Sequence, residues 1–245
     1  MEILRSITFN IVYYPITALL CFLYLPFLLT PRSWFCTMVE LYLKIVHILE
    51  KTILGLDFEV RGIEHLPKDQ AYIVAAKHQS SYETLKLHLL FKDPAIVIKK
   101  ELFKIPIWGW YAKKMQLIGI DRSSRELALK SIVDGTANAA AMKRPIVIFP
   151  QGTRVNLDQT PQDKPYKAGI MRMQRDSGLL IVPMALNTGL FWGRNAFHKK
   201  GGKVIFEFLP PLKSGLALNE GLAIIQQQIE SKTAELIAES VNQGE

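Results

Sequence analysis

Residues 71–90 read AYIVAAKHQSSYETLKLHLL, and the fold class turns on this stretch. Its first six residues, Ala71 to Ala76, are a short apolar run of the kind that forms a buried strand. From Ser80 onward the pattern changes. Tyr82, Leu85, Leu89 and Leu90 recur at helical spacing, and Ser80 is placed as an N-cap. Strand, tight turn and helix therefore follow one another, with His78 on the turn.

The order repeats along the chain. QLIGIDRSSRELALKSI (116–132) reads as a strand, a turn at Asp121-Arg122 and a helix. PIVIFPQGTR (145–154) places an apolar strand, Ile146 to Phe149, before a turn carrying Gln151, Gly152, Thr153 and Arg154. LLIVPMAL (179–186) is another apolar strand. Its Pro183 cannot donate to a ladder, which suggests an edge or a strand end. Upstream, LDFEVRG (56–62) also looks like a strand, and Leu218 to Val241 reads as an amphipathic packing helix. No repeat, low-complexity tract or Gly/Ser linker divides the 245 residues.

The N-terminus has a different character. No charge lies between Arg5 and Arg32. As one helix, Ser6 to Pro31 would extend about 39 Å, against roughly 30 Å of bilayer hydrocarbon. Pro15 and Pro26 interrupt it, and the stretch between them spans only about 15 Å. Trp34 to Leu54 follows with apolar residues at helical spacing, broken by Glu40, Lys44, Glu50 and Lys51, so it is amphipathic. A kinked spanning helix followed by an interfacial one, or a hairpin in one leaflet, both fit. Cys21 and Cys36 lie in this apolar region, and neither implies a disulfide framework or a metal site.

His78 and Glu83 are five residues apart. In a continuous helix they would point about 140° apart. With His78 ahead of the helix, the chain can fold back and bring imidazole and carboxylate together, leaving the other ring nitrogen free to take a proton. Ser80-x-x-Glu83 is also a capping box, which by itself would explain the glutamate. Both readings stay open at this level. His47, His65, His88 and His198 lack such a setting and read as surface or packing residues.

The net charge is +8. Much of it lies in Lys92 to Arg125, where aromatics and prolines interleave with lysines, as in KKELFKIPIWGWYAKKM (99–115). Such a stretch suits an anionic lipid surface or a phosphate ligand. Arg122 at a strand end and Arg154 on a turn each offer a planar fork suited to phosphate. Gly152 permits close backbone approach, and Thr153 offers a hydroxyl. No nucleic-acid-binding motif is present, and no G-x-S-x-G elbow supports a serine hydrolase.

HQSSYE, GIDR, FPQGTR and IVPMAL together resemble, in order and spacing, the four motifs of the glycerolipid acyltransferase family, in particular its 1-acylglycerol-3-phosphate acyltransferases. The likeness covers roughly residues 62–186. It implies a single α/β acyltransferase domain over 56–245, with a mixed, mostly parallel sheet flanked by helices. Residues 1–55 would be membrane-embedded or interfacial helices. The implied reaction is direct acyl transfer from a coenzyme A or acyl carrier protein thioester to the free hydroxyl of a lysophospholipid, without an acyl-enzyme.

In that reading His78 is the base, Glu83 supports the imidazolium, and Lys100, Arg122 and Arg154 hold the phosphate. Lys100 is assigned because KKELFKIPIWG is similar to a family segment that supplies a lysine. No resident cofactor or metal is implied. The resemblance places the protein at a membrane bilayer, with a bacterial inner membrane and a cytoplasmic catalytic domain expected. Glycerol 3-phosphate or a lyso-aminolipid is an alternative acceptor, and a non-catalytic protein binding anionic lipid is the rival class. Two positions depart from the family pattern: Glu83 stands where an aspartate is usual, and Gln151 where a glutamate is usual. Gln151 is accordingly a binding candidate and not an acid–base residue.

Overall fold

Each of the five runs read as a strand joins one sheet, and Ala95–Lys99 and Gly202–Phe208 add two more strands. In the computed structural model, which describes residues 1–242, the strands are β1 Leu56–Arg61, β2 Ile73–Ala76, β3 Ala95–Lys99, β4 Ile118–Ile120, β5 Ile146–Ile148, β6 Ile181–Leu186 and β7 Gly202–Phe208. Their spatial order is β1-β7-β6-β2-β5-β3-β4. Neighbours are parallel throughout except for β6 with β7. The helices are α1 Glu2–Leu23, α2 Arg32–Leu49, α3 Tyr82–Leu90, α4 Trp108–Lys114, α5 Arg125–Ala141, α6 Gly169–Ser177, α7 Thr188–Phe191 and α8 Leu218–Asn242. The mixed, mostly parallel α/β architecture is the one expected.

The continuous apolar run of β2 has a direct cause, since the strand is covered on both faces. Val74 and Ala76 enter one core with Tyr82 and Leu87 of α3 and Phe206 of β7. Ile73 and Ala75 enter the opposite core with Ile132 of α5, Ile170 of α6 and Ile225 of α8. Alternate residues feed alternate cores, as the two-residue period of a strand demands.

Pro183 corrects an expectation. β6 is an interior strand, between β7 and β2. Lys77 donates its amide to the Met184 carbonyl and Ile73 donates to Leu180, so the even residues of β6 face β2. The odd ones face the other way, where Leu209 donates to the Pro183 carbonyl and Leu212 to that of Ile181. Pro183 thus turns its missing donor toward the place where β7 has ended at Phe208. Proline is tolerated inside this sheet because its partner strand gives out there.

The N-terminal run does not continue as one helix. It ends at Leu23, a 3₁₀ turn at Leu25–Leu29 follows with Pro26 in its first turn, and α2 returns against α1. Thr17 and Tyr42 are hydrogen-bonded across the pair at 3.1 Å. α1 has 22 residues and a mean hydropathy of 1.6, long and apolar enough to cross a membrane. Its inner face is nevertheless docked on the sheet domain. Phe9 is buried edge-on against Trp192, the Lys199 amide donates to the Ser6 hydroxyl, and the Lys199 ammonium donates to Asn10 Oδ1. The opposite face carries Ile3, Leu4, Ile7, Ile11, Tyr14 and Phe22 at helical spacing, all exposed.

A charge pair joins this hairpin to the sheet domain. α2 ends in a π-helical turn, Glu50–Leu54, and both Glu50 there and Lys86 of α3 are completely buried. The Lys86 ammonium donates to Glu50 Oε2 and lies 4.4 Å from the centre of the Tyr82 ring. Burial pushes the Lys86 pKa down, and the Glu50 charge opposes that shift. Removing one partner of a buried pair strands the other charge, whereas replacing both together is far milder. Lys86→Met is therefore expected to lower unfolding stability by about 3–5 kcal/mol, and Lys86→Met with Glu50→Gln to recover most of it. Denaturant unfolding of the detergent-solubilised protein checks this. Equal losses in the single and double variants would refute the coupling.

Candidate active site

The carboxyl ends of β2, β4, β5 and β6 lie along one edge of the sheet, because these strands all run the same way. HQSSYE and FPQGTR follow the ends of β2 and β5, GIDR runs over the end of β4, and IVPMAL is β6 itself, so all four converge on the edge where open α/β sheets place their ligands.

His78 follows β2 by two residues, and its Nδ1 lies 2.7 Å from Glu83 Oε1. The same oxygen accepts the amides of Gln79 at 2.8 Å and Ser80 at 2.7 Å. Glu83 is buried, and its second oxygen accepts the Thr188 hydroxyl at 2.8 Å. The carboxylate therefore reaches back over the helix start, as in a capping box, and orients the histidine at the same time. The two readings left open by the sequence are one arrangement. The N-cap position itself falls to Ser81 instead of Ser80; the Ser80 hydroxyl accepts the Tyr82 amide at 3.0 Å.

Neighbouring turns fix the imidazole further. Phe149 stacks on it with ring centres 3.9 Å apart and planes 19° apart. Val155, just past FPQGTR, donates its amide to the His78 carbonyl at 2.8 Å. Gln79 Oε1 accepts the Gly189 amide at 3.0 Å, tying the turn after β6 to the His78 turn. The imidazole edge opens into a cavity of about 1120 Å³.

The polar end of that cavity is cationic. Arg122, Arg154 and Lys167 line it, together with Gly152 and Thr153. Arg122 donates to the Gly152 carbonyl at 3.0 Å. Partial burial, and then the charge of Arg122, hold the Lys167 pKa below its usual value. Gly152 has φ +69°, and a Cβ there would stand 3.1 Å from the Lys167 ammonium, so the turn needs glycine. Crowded cations of this kind, with their donors facing a cleft, suit a phosphate.

The other end is apolar, walled by Leu20, Tyr24, Leu43, Ile98, Tyr111 and Leu129 among others. His88 lies in this wall too, where enclosure by protein pushes its pKa down to about 4 and keeps it neutral. That accounts for a histidine the sequence placed only as surface or packing.

Two candidates sit elsewhere. Lys100 turns to Asp121, with its ammonium 2.9 Å from the carboxylate, and the neighbouring Lys99 lines the cavity instead. Gln151 points inward: it is 4% exposed, and its amide donates to the Lys164 carbonyl at 3.0 Å. Neither Lys100 nor Gln151 borders the cavity. The backbone donors of the His78 turn are committed, since Glu83 takes the Gln79 and Ser80 amides, and Gly152 donates to Phe149. Among the described residues, the Thr153 and Arg154 amides carry no hydrogen bond.

Comparison with known proteins accords with this geometry. A family model described as Acyltransferase matches residues 57–187, more than half of the chain. A 1-acyl-sn-glycerol-3-phosphate acyltransferase of Pseudomonas aeruginosa is 29% identical over 191 residues, 78% of this chain and 73% of that protein. One from Saccharomyces cerevisiae is 27% identical over 195 residues, 79% of this chain and 63% of its own length. The crystal structure of a 1-acyl-sn-glycerophosphate acyltransferase from Thermotoga maritima shares the fold, with a TM-score of 0.78 at 22% identity, covering 96% of this chain and 98% of that one.

Glu83→Gln tests the carboxylate's charge. The amide oxygen can still accept from the turn, so the variant is expected to fold, but it cannot balance a protonated His78. A loss of about 10³–10⁴ in acyl-transfer turnover is expected by comparison with tautomer-directing acids elsewhere. A loss smaller than about tenfold in steady-state turnover would show that the charge is not needed.

Proposed function

The chain belongs to the Acyltransferase family, and from that premise we propose that it acylates the free hydroxyl of 1-acylglycerol 3-phosphate to give phosphatidic acid. The observation that carries this reading is the His78–Glu83 pair opening onto a cavity with a cluster of cations at one end and an apolar wall at the other.

The chemistry follows from the geometry. His78 Nε2 takes the proton from the acceptor hydroxyl as its oxygen attacks the thioester carbonyl, and Glu83 balances the imidazolium. The tetrahedral intermediate then collapses, its carbon–sulfur bond breaks, and the departing thiolate takes the proton from His78. The Thr153 and Arg154 amides are the donors proposed for the developing oxyanion. Arg122, Arg154 and Lys167 hold the phosphate, which fixes the hydroxyl near His78. Positioning of that kind contributes several kcal/mol of the barrier, and a placed base about 10²–10⁴-fold.

The thioester, carried by coenzyme A or acyl carrier protein, is a co-substrate in this scheme, and no resident cofactor takes part. The cation cluster favours a phosphorylated acceptor over a lyso-aminolipid, and the apolar wall favours lysophosphatidate over glycerol 3-phosphate.

The hairpin supports attachment to a membrane from one side. A helix docked along one face cannot leave the domain to cross roughly 30 Å of hydrocarbon, but its exposed apolar face can lie in one leaflet. We read the site as facing the cytoplasmic leaflet of the cell membrane, where both donors are found.

His78→Ala is expected to abolish transfer from either donor while leaving lysophosphatidate binding intact, and undiminished transfer would refute the mechanism. Arg154→Ala is expected to raise the KM for lysophosphatidate about tenfold or more. A fall in kcat alone would refute the phosphate contact. Assaying lysophosphatidate and glycerol 3-phosphate side by side with both donors separates the acceptors.

A further inference from the structure

The segment KKELFKIPIWGWYAKKM is only partly used by the site. Lys99, Leu102, Trp108, Tyr111, Ala112 and Met115 line the cavity. The outer side of the same segment carries Ile105, Trp108 and Trp110, which are 45%, 40% and 51% exposed. At this point α4, seven residues long, is the wall between the cavity and the outside.

That wall is fastened to the membrane hairpin. Tyr111 donates its hydroxyl to the Cys21 carbonyl, and Lys114 donates to the carbonyls of Leu28 at 2.9 Å and Thr30 at 2.5 Å. Arg32 donates to the Met115 carbonyl at 2.9 Å, and the rings of Phe35 and Tyr111 lie 5.0 Å apart. The exposed apolar residues of the hairpin bend stand beside these anchor points: Phe22 next to Cys21, Leu29 between Leu28 and Thr30, and Trp34 next to Phe35. Leu29 is 93% exposed. The two apolar surfaces are thus held together at one bend.

The entry to α4 is strained. Ile107 has φ 63° and ψ −61°, and Trp108 donates its amide to the Pro106 carbonyl at 2.6 Å. This is a γ-turn of the rare hand, occupied by a β-branched residue that avoids positive φ. Its consequence is that the chain doubles back, with Ile105 and Trp108 both left exposed. Charge points to the occupant. Residues 99–115 hold five lysines against one glutamate, and Lys104 and Lys113 are exposed on either side of the two tryptophans. Amphipathic aromatic rings flanked by lysines match the boundary of a bilayer with anionic headgroups.

We propose that Ile105–Trp110 is a second membrane contact, and that the α4 wall is where the acyl chain of the lysolipid passes between the leaflet and the cavity. This rests on the reading of the hairpin as the membrane anchor and of the acceptor as a lysolipid. The contact seats the cavity wall on the lipid, so that an acceptor already in the membrane reaches His78 without entering water.

The test uses the full chain on vesicles of phosphatidylcholine with phosphatidylglycerol. Lipids brominated on their acyl chains are expected to quench a fluorescence component that disappears in Trp110→Phe. Ile105→Ser with Trp110→Ser is expected to raise the KM for vesicle-borne lysophosphatidate about tenfold, while kcat/KM for a short-chain, water-soluble lysophosphatidate stays within about twofold. If the parent protein binds vesicles but Trp110 is not quenched, the second contact is wrong and the hairpin anchor stands. Equal losses on both acceptors would overturn the lipid-entry role. If the parent binds no vesicles at all, both the anchor and this contact fail.

Discussion

One buried carboxylate organises the edge of the sheet at which the motifs converge. Glu83 accepts hydrogen bonds from the amides of Gln79 and Ser80 and from the Thr188 hydroxyl, and it holds the His78 ring through Nδ1. A buried anion is costly unless it is well supplied with donors. Supplying them forces the chain leaving β2 to fold back over the start of α3, and it draws in the turn after β6. The requirement that makes Glu83 tolerable in the interior therefore also fixes the position and tautomer of the histidine. Capping and base orientation share one set of bonds, so a loss of the acid would disturb both.

α3 carries a second buried charge one turn further on. Lys86 pairs with Glu50 at the end of the N-terminal hairpin, while Glu83 pairs with His78. One short helix thus links the hairpin to the His78 turn. Buried ion pairs are weak sources of stability but strong sources of register, because a misplaced partner leaves an uncompensated charge. A displaced hairpin would strand both charges, so the pair favours one position of the hairpin against the domain.

Five of the seven strands were legible in the sequence, the interior ones because strands covered on both faces leave unbroken apolar runs, whereas Ala95–Lys99 and Gly202–Phe208 were not read. The His–acid pair was legible as a possibility, and its capping alternative held in its glutamate half, since Glu83 accepts the Ser80 amide while the N-cap falls to Ser81. The sequence missed contacts made between distant turns. Thr188, Gln79 and Phe149 act through long-range placement, and no local pattern marks them. Lys167 lies in KPYKAG, after the loop that follows FPQGTR, and only the fold returns it to Gly152. Lys99 and Lys100 are adjacent at the end of a strand and its following turn, and spacing cannot say which enters the cleft. Pro183 misled for a related reason, since its tolerance depends on where the partner strand stops. Lys86 was hidden because a lysine in an apolar helix ordinarily reads as its solvent edge.

Gln151 shows how a departure from a family pattern can be absorbed. At this position the side chain is buried, and its amide nitrogen donates to the Lys164 carbonyl. An ionised glutamate in the same place would set an acceptor against an acceptor, so the loop from 151 to 164 is held here by a donor that a carboxylate lacks. The substitution also leaves one negative charge fewer near Arg122 and Lys167. The hydrogen bond that shapes the loop is made inside the protein, away from the cavity. A family position usually read as part of the site serves, in this chain, the turn that carries Gly152, Thr153 and Arg154 to it.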